Sequence, residues 1–285
     1  MSASGVGRED TEHEFELRDD DFNALRALVK AHTGINVGPE KRALIYSRLA
    51  RRVRALGLGN FRQYRELLDR DDGVELGEFR DAITTNLTSF FREPHHFAYL
   101  REKVLRPWMA ARGGVRKLRI WSAGCSTGEE PYSIAMTIAE TLGDLRGQDV
   151  RILATDLDSQ VLATAARGCY AQARMEGLGV ERRERFFVRG PPESPPGYTV
   201  AAALREMITF KQLNLMDELP MKGPLDVIFC RNVIIYFDKD TQRGLLGRLA
   251  GKQQPGHLLF LGHSENVTRL GAGYLLLGDT VYRRV

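Results

Sequence analysis

Leu118-Arg119-Ile120-Trp121-Ser122-Ala123-Gly124-Cys125-Ser126-Thr127-Gly128-Glu129-Glu130-Pro131 changes texture twice. The apolar run Leu118–Ser122 reads as a buried strand, because branched and aromatic side chains suit a pleated surface. Two glycines then let the chain turn tightly, and from Glu129 to Leu142 the apolar residues recur at helix spacing. Strand, glycine turn and helix form the opening of a βαβ unit. Its ligand side is the carboxyl end of the strand, where the helix start offers free N–H groups.

The same alternation continues towards the C-terminus. Val150–Thr155, Leu225–Cys230 and His257–Gly262 read as further strands, with Ser159–Arg167 and Asp240–Gly251 as helices. Such a pattern predicts a parallel sheet covered on both faces. Tyr274–Leu277 and Val281–Val285, joined by Gly278-Asp279-Thr280, read as an antiparallel hairpin closing the sheet edge. Between Gly177 and Gln212 the alternation breaks. There Pro191, Pro192, Pro195, Pro196 and Gly197 precede two strand-like runs, Tyr198–Ala202 and Met207–Lys211, so a small β insert is expected over 178–212.

Upstream the pattern is helical. Phe22, Leu25, Leu28 and Val29 mark one helix that Gly34 stops; a second runs from Pro39 to Leu56 with Leu44, Ile45, Leu49, Val53 and Leu56 on one face. Asn60 is the expected N-cap of a third carrying Phe61, Tyr64, Leu67 and Leu68, and Leu76, Phe79 and Ile83 suggest a fourth. The chain is therefore divided into a helical domain over 1–85 and an α/β domain over 86–285. The first 15 or so residues read as a loose tail.

No apolar run nears the roughly 20 residues that span a bilayer. Residues 8–20 are acidic and polar, unlike a signal peptide, so a cytoplasmic protein with no membrane insertion is expected. Cys125, Cys169 and Cys230 are odd in number and far apart, which favours reduced thiols over a disulfide framework. The net charge of +4 says little, but nine Lys or Arg face three acids between Glu40 and Arg70. The ordinary reading of that run is a solvated helix face; the other is attraction of an acidic partner.

The glycine turn is not a P-loop, since no Lys-Ser/Thr follows it, and it is not a full G-x-G-x-x-G. Glu129 and Glu130 at the helix start would repel a pyrophosphate. A ligand with a cationic amino group and no phosphate fits better. Asp156 ends the second strand, where a carboxylate can accept both hydroxyls of a ribose, while Asp158 suits the cap of the next helix. These features favour S-adenosylmethionine over a dinucleotide, with a purely structural turn as the alternative.

Longer motifs sharpen this reading. Thr84-Thr85-Asn86-Leu87-Thr88-Ser89-Phe90-Phe91-Arg92-Glu93 resembles the chemotaxis receptor methyltransferases of the CheR type, as does Trp121-Ser122-Ala123 through Glu130-Pro131-Tyr132-Ser133. So do Ala154-Thr155-Asp156, Asn214-Leu215, Cys230-Arg231-Asn232-Val233-Ile234-Ile235-Tyr236-Phe237 and Leu261-Gly262-His263-Ser264-Glu265-Asn266, in order, from about residue 20 to the end. The resemblance implies a helical N-terminal domain joined to a Rossmann-like, S-adenosylmethionine-dependent methyltransferase domain with a small antiparallel β insert. It implies methyl esterification of glutamates on the helical cytoplasmic domain of bacterial chemoreceptors, with S-adenosylhomocysteine as the other product.

By the same resemblance Asn86, Thr88, Arg92, Glu130, Asp156, Asn214, Leu215, Arg231 and Asn232 line the cofactor site. Arg92 would grip the ligand's α-carboxylate, Glu130 its ammonium, Asp156 the ribose, and Asn214 the adenine edge beside Leu215. Tyr236 matches a family tyrosine beside the transferred methyl and would orient the acceptor carboxylate. The plainer readings are turn or cap residues for Asn86 and Thr88, a structural ion pair for Arg231, and a strand-end aromatic for Tyr236. The acceptor, ionised at neutral pH, needs no general base, and a dry site favours a reaction in which two opposite charges vanish.

Arg48, Arg51 and Arg54 form one ridge of the second helix, and the resemblance makes this ridge the dock for acidic receptor helices. Two rivals stand beside this reading. A nucleic-acid methyltransferase would share the cofactor site, but the Asn/Asp-Pro-Pro-aromatic turn and the Pro-Cys nucleophile are lacking. A non-catalytic S-adenosylmethionine sensor is the other. No metal is expected, since His95, His96, His257 and His263 show no ligand spacing with the cysteines.

Overall fold

A computed structural model of the chain describes residues 14–71, 73–111, 116–143, 148–190, 197–268 and 273–285, which fall into two compact units. The first comprises the residues up to Ala31 together with Val37–Ile83. Its helices are α1 (Asp19–Thr33), α2 (Arg42–Ala55), α3 (Phe61–Leu68) and α4 (Val74–Ile83), with a 3₁₀ turn at Pro39–Lys41 leading into α2. Three aspartates in the first turn of α1 suit its positive dipole end, and Asn60 caps α3 by accepting from Gln63 N at 3.0 Å.

The core of this unit gathers Leu25, Val29, Ile45, Leu49, Val53, Phe61, Tyr64, Phe79 and Ile83. Of the α2 face read from the sequence, Leu44 and Leu56 are corrections: they stand 41% and 38% exposed. Ala50 is buried instead, because the inward stripe runs Ile45, Leu49, Ala50, Val53 and is narrower than the apolar count suggested. A buried polar knot crosses it. Glu75 accepts from Arg52 Nε at 3.0 Å, Arg52 Nη2 at 2.6 Å and Tyr64 Oη at 2.8 Å.

The second unit contains His32–Asn36 and everything from Thr84 onwards. α5 (Pro94–Tyr99) widens into a π-helical stretch at Leu100–Leu105 before α6 (Arg106–Ala110). The alternation then follows as β1 (Lys117–Ala123), α7 (Glu129–Leu142), β2 (Asp149–Asp156) and α8 (Ser159–Arg167). Next come β3 (Cys169–Ala171), a 3₁₀ turn at Gln172–Met175, α9 (Val180–Phe186), β4 (Phe187–Arg189), β5 (Gly197–Val200) and α10 (Ala202–Arg205). β6 (Ile208–Gln212), β7 (Val227–Phe229), a 3₁₀ turn at Ile234–Tyr236, α11 (Lys239–Ala250), β8 (Leu258–Phe260), β9 (Tyr274–Gly278) and β10 (Val281–Arg284) complete the described elements.

Seven strands form the main sheet in the order β6-β2-β1-β7-β8-β10-β9, parallel from β6 to β8 and antiparallel in the last two pairings. The period of two along β1 sends Leu118 and Ile120 into the core on one face and Trp121 and Ala123 into the core on the other. After β2 and β6 the chain returns to the far side of β1. The order of the sheet thus switches direction between β1 and β7, the place where open α/β sheets bind ligands.

The hairpin closes the edge as the sequence predicts, with Asp279 and Thr280 at positive φ in the loop between Gly278 and Val281. The insert needs a correction. Met207–Lys211 does not join it; as β6 that stretch pairs parallel with β2 in the main sheet. The small sheet is β3-β5-β4 instead, drawn from Cys169–Ala171, Phe187–Arg189 and Gly197–Val200. Pro191, Pro192, Pro195 and Pro196 lie outside the described residues. All three cysteines are free, with Cys125 and Cys230 buried and Cys169 exposed. Among the described residues no helix is long and apolar enough to cross a membrane.

Candidate active site

Of the side chains expected to act together, Asp156, Glu130 and Arg231 stand where β2, β1 and β7 end, and Glu130 and Arg231 touch. β1 runs into Gly124, whose φ is +82° and whose Cβ, if present, would lie 2.4 Å from Val233 Cγ2. Thr155 O at the end of β2 accepts from Gly124 N and Cys125 N, at 2.8 and 2.9 Å. This pins the turn to the neighbouring strand. Gly128 ends the turn at φ +98°, and an added Cβ would meet Ala165 Cβ and Tyr170 Oη at 2.8 Å. Only glycine fits either place.

Asp156 holds this turn directly. Its Oδ2 accepts from Ser126 N at 2.7 Å and its Oδ1 from Asp158 N at 3.1 Å. Burial pushes its carboxyl up to about 6. Asp158 takes the capping role expected of it: Oδ1 accepts from Gln160 N and Val161 N at the start of α8. Its Oδ2 accepts from Thr84 Oγ1 at 2.8 Å and Asn86 Nδ2 at 2.7 Å, and Ser126 Oγ donates to Asn86 O at 3.1 Å. The segment before α5 is thus laced to the turn.

Glu130, at the start of α7, accepts from Ser122 Oγ at 2.7 Å and from Arg231 Nη1 at 3.1 Å. Burial raises its carboxyl above the usual range. Arg231, 5% exposed, also reaches Arg92 O and lies 3.3 Å from Glu93 Oε2. Burial alone would raise the Glu93 carboxyl, but the Arg231 charge and the hydrogen bonds together outweigh it and hold it below the ordinary range. Glu129 plays no part at this rim. It turns the other way to Arg174 and Thr127 Oγ1, tying α7 to the turn after β3, so only one of the two acids read at the helix start faces the site.

Arg92 donates to Leu87 O at 2.9 Å within its own loop. Asn214, just past β6, donates from Nδ2 to His32 O at 2.9 Å and accepts at Oδ1 from Met216 N at 3.0 Å. Gly34 allows this approach, since a Cβ there would lie 2.4 Å from Met216 Sδ. Leu215 is buried in the core beneath the rim. Among the described residues the Thr88 and Tyr236 hydroxyls do not join the hydrogen-bonded network; Tyr236 packs on the core flanking β7 and accepts from Asn36 N through its carbonyl.

Backbone strain gathers at the same place. Phe91, Glu93, Ser126 and Asn232 all have φ between 48° and 59°, which costs an L residue about 1–3 kcal/mol each and marks functional loops. Glu93, Ser122, Ser126 and Glu265 were not singled out from the sequence. Each lies inside a motif quoted above, at 84–93, 121–133 or 261–266, but no role was attached to it there.

Among the described residues Glu93, His95 and His96 bring a carboxylate and two imidazoles within 4.8 Å of one another, a grouping that histidine-to-cysteine spacing does not display. The Arg231 charge already answers that carboxylate, which disfavours a cation there. Burial lowers His96 to about 4, and its Nε2 lies 2.9 Å from Asp279 O in the hairpin.

On α2, Arg48 reaches Ile83 O, Arg54 grips Glu14 by two nitrogens, and Arg51 is exposed. Two of the three heads of the expected ridge are therefore already engaged.

Residues 20–84 match the family model described as the CheR methyltransferase, all-alpha domain, and residues 86–279 match the CheR methyltransferase, SAM binding domain. Chemotaxis protein methyltransferase 2 of Pseudomonas aeruginosa is 44% identical, over 94% of this chain and 94% of that protein. The chemotaxis protein methyltransferases of Salmonella typhimurium and Escherichia coli K12 are each 41% identical over 93% of this chain, covering 90% and 91% of their own lengths. The chain belongs to the CheR methyltransferase family.

Proposed function

We propose that this chain transfers the methyl group of S-adenosylmethionine to glutamate side chains on the cytoplasmic helical domain of chemoreceptors, leaving glutamate methyl esters and S-adenosylhomocysteine. The family and the 41–44% identity make it a chemotaxis methyltransferase, an S-adenosylmethionine-dependent enzyme. The observation that carries the finer reading is the set at the switch point: a buried carboxylate, Asp156, a half-buried one, Glu130, one buried guanidinium, Arg231, and no phosphate cradle in the glycine turn.

The donor set fits that cofactor. Asp156 keeps lone pairs beyond its two backbone bonds for the ribose hydroxyls. Glu130 does so for an ammonium, and Arg92 has guanidinium hydrogens left for a carboxylate. Asn214 retains one amide hydrogen and one lone pair for an adenine edge above Leu215. Asn86, Thr88, Arg231 and Asn232 complete the lining.

When bound, the cofactor supplies an electrophilic methyl on a cationic sulfur. The chain's own part is to orient and to exclude water. Tyr236 positions the acceptor carboxylate, which arrives ionised and needs no base. A site that excludes water leaves less of it to solvate opposite charges that disappear as the ester forms. Arg51, the exposed head of the ridge that Arg48 and Arg54 share, steers acidic receptor helices towards the enzyme.

The test is transfer of labelled methyl from S-adenosylmethionine to a receptor cytoplasmic fragment, with DNA as the competing acceptor. Label on receptor glutamates, released as methanol by mild base, is expected. Label on DNA, or on neither, contradicts the reading.

A further inference from the structure

We propose that Glu265 is a positioning residue for methyl transfer, holding the Arg231–Ile235 segment in its working shape through backbone hydrogen bonds; this rests on the cofactor site proposed above. Glu265 stands 3% exposed, and among the described residues no Lys or Arg pairs with it. Its charge is met by main-chain N–H groups instead. Oε2 accepts from Gly262 N at 2.6 Å and Asn232 N at 2.8 Å, and Oε1 accepts from Ile235 N at 3.2 Å.

One carboxylate thus ties the end of β8 to the loop after β7. That loop supplies Arg231, Asn232 and Tyr236, which are the guanidinium paired to Glu130, a site-lining amide and the tyrosine assigned to the acceptor. Asn232 sits at φ +59°, a left-handed turn that Asn accepts more readily than most L residues, and Glu265 fixes it there by bonding its N–H. The fit is close on the other side as well. A Cβ on Gly262 would lie 2.5 Å from Asn232 Nδ2 and 3.0 Å from Asn232 N, so the two segments touch backbone to backbone.

Charge-assisted bonds to a buried carboxylate are stronger than neutral ones, and three on one side chain fix three amide directions at once. Releasing them frees the Asn232 and Ile235 amides, and with them the aim of the adjacent Arg231 and Tyr236. A shift of about 1 Å in a positioning group lowers rate by about 100-fold.

The test compares Glu265→Gln and Glu265→Ala with the wild-type chain, measuring kcat and KM for label transfer, S-adenosylhomocysteine affinity, and thermal midpoint. Glu265→Gln keeps one acceptor oxygen for the Gly262 and Asn232 N–H groups but turns an amide N–H₂ against Ile235. We expect kcat/KM to fall by about 10- to 100-fold in Glu265→Ala, and by less in Glu265→Gln, at a temperature where both are fully folded. Wild-type kcat and KM in both variants overturn the proposal. So does a loss that only tracks the folded fraction, which would make Glu265 a stability residue alone. A wild-type chain that binds no S-adenosylhomocysteine removes the proposed cofactor site itself, a failure distinguishable from these.

Discussion

Replacing Asp156 by Asn separates what this carboxylate does for the fold from what it does for the ligand. Burial raises its carboxyl from 3.8 to about 6, which sets about 3 kcal/mol against the charged form in the folded protein. The folded-state value lies above the unfolded one. The stability linked to this group is therefore complete below about pH 4 and is lost as the pH rises through 6. Asn carries no charge and escapes that loss. Its single amide oxygen can replace the bond from Ser126 N but not the one from Asp158 N as well, a cost of about 1 kcal/mol.

Relative to wild type, Asp156→Asn should therefore gain about 2 kcal/mol of stability on going from pH 4.5 to pH 7.5, as measured by urea unfolding at both values. At pH 7.5 the same variant should bind S-adenosylhomocysteine about 10- to 100-fold more weakly, because the ribose loses a charged acceptor. Calorimetry reads that directly. A stability difference that does not move with pH, together with unchanged affinity, would refute both the desolvated charge and the ribose contact.

Gly128→Ala should lower stability by about 2–4 kcal/mol, since its φ of +98° suits no side chain and the new methyl would press on Ala165 and Tyr170; an unchanged denaturation midpoint would contradict this. Glu75→Ala should cost the N-terminal helical unit about 3 kcal/mol, the low end for breaking a buried pair because Arg52 is partly exposed, and hydrogen exchange on α2 and α4 would show it. Arg51→Glu should slow methylation of a receptor fragment several-fold at low salt and much less at high salt, with S-adenosylhomocysteine affinity untouched; equal rates at low salt would remove the docking ridge.

The reach of the sequence followed the range of the signal. Glu129–Leu142 and Ser159–Arg167 were bounded correctly because helix periodicity, the glycine turn and the Asp158 cap are all local. The parallel core was legible from short branched runs for the same reason. What failed depended on partners distant in the chain. Met207–Lys211 looked like part of the insert until its pairing with β2, more than fifty residues upstream, placed it in the main sheet. Glu129 and Glu130 looked alike as neighbours, yet Arg174 draws one away while Arg231 holds the other at the rim. Glu265 stood inside a recognised motif, but its role is to accept backbone N–H groups, which no side-chain pattern displays. The α2 face was read too wide because Leu44 and Leu56 fit the period without facing the core.

Isothermal calorimetry of the purified chain with S-adenosylmethionine, S-adenosylhomocysteine and NAD tests the central claim most directly. Saturable heat from the two sulfur compounds, at one site per chain and with none from the dinucleotide, is the predicted result. Saturation by NAD with no heat from either adenosyl compound would contradict a rim built from Asp156, Glu130 and Arg231 for a phosphate-free cofactor.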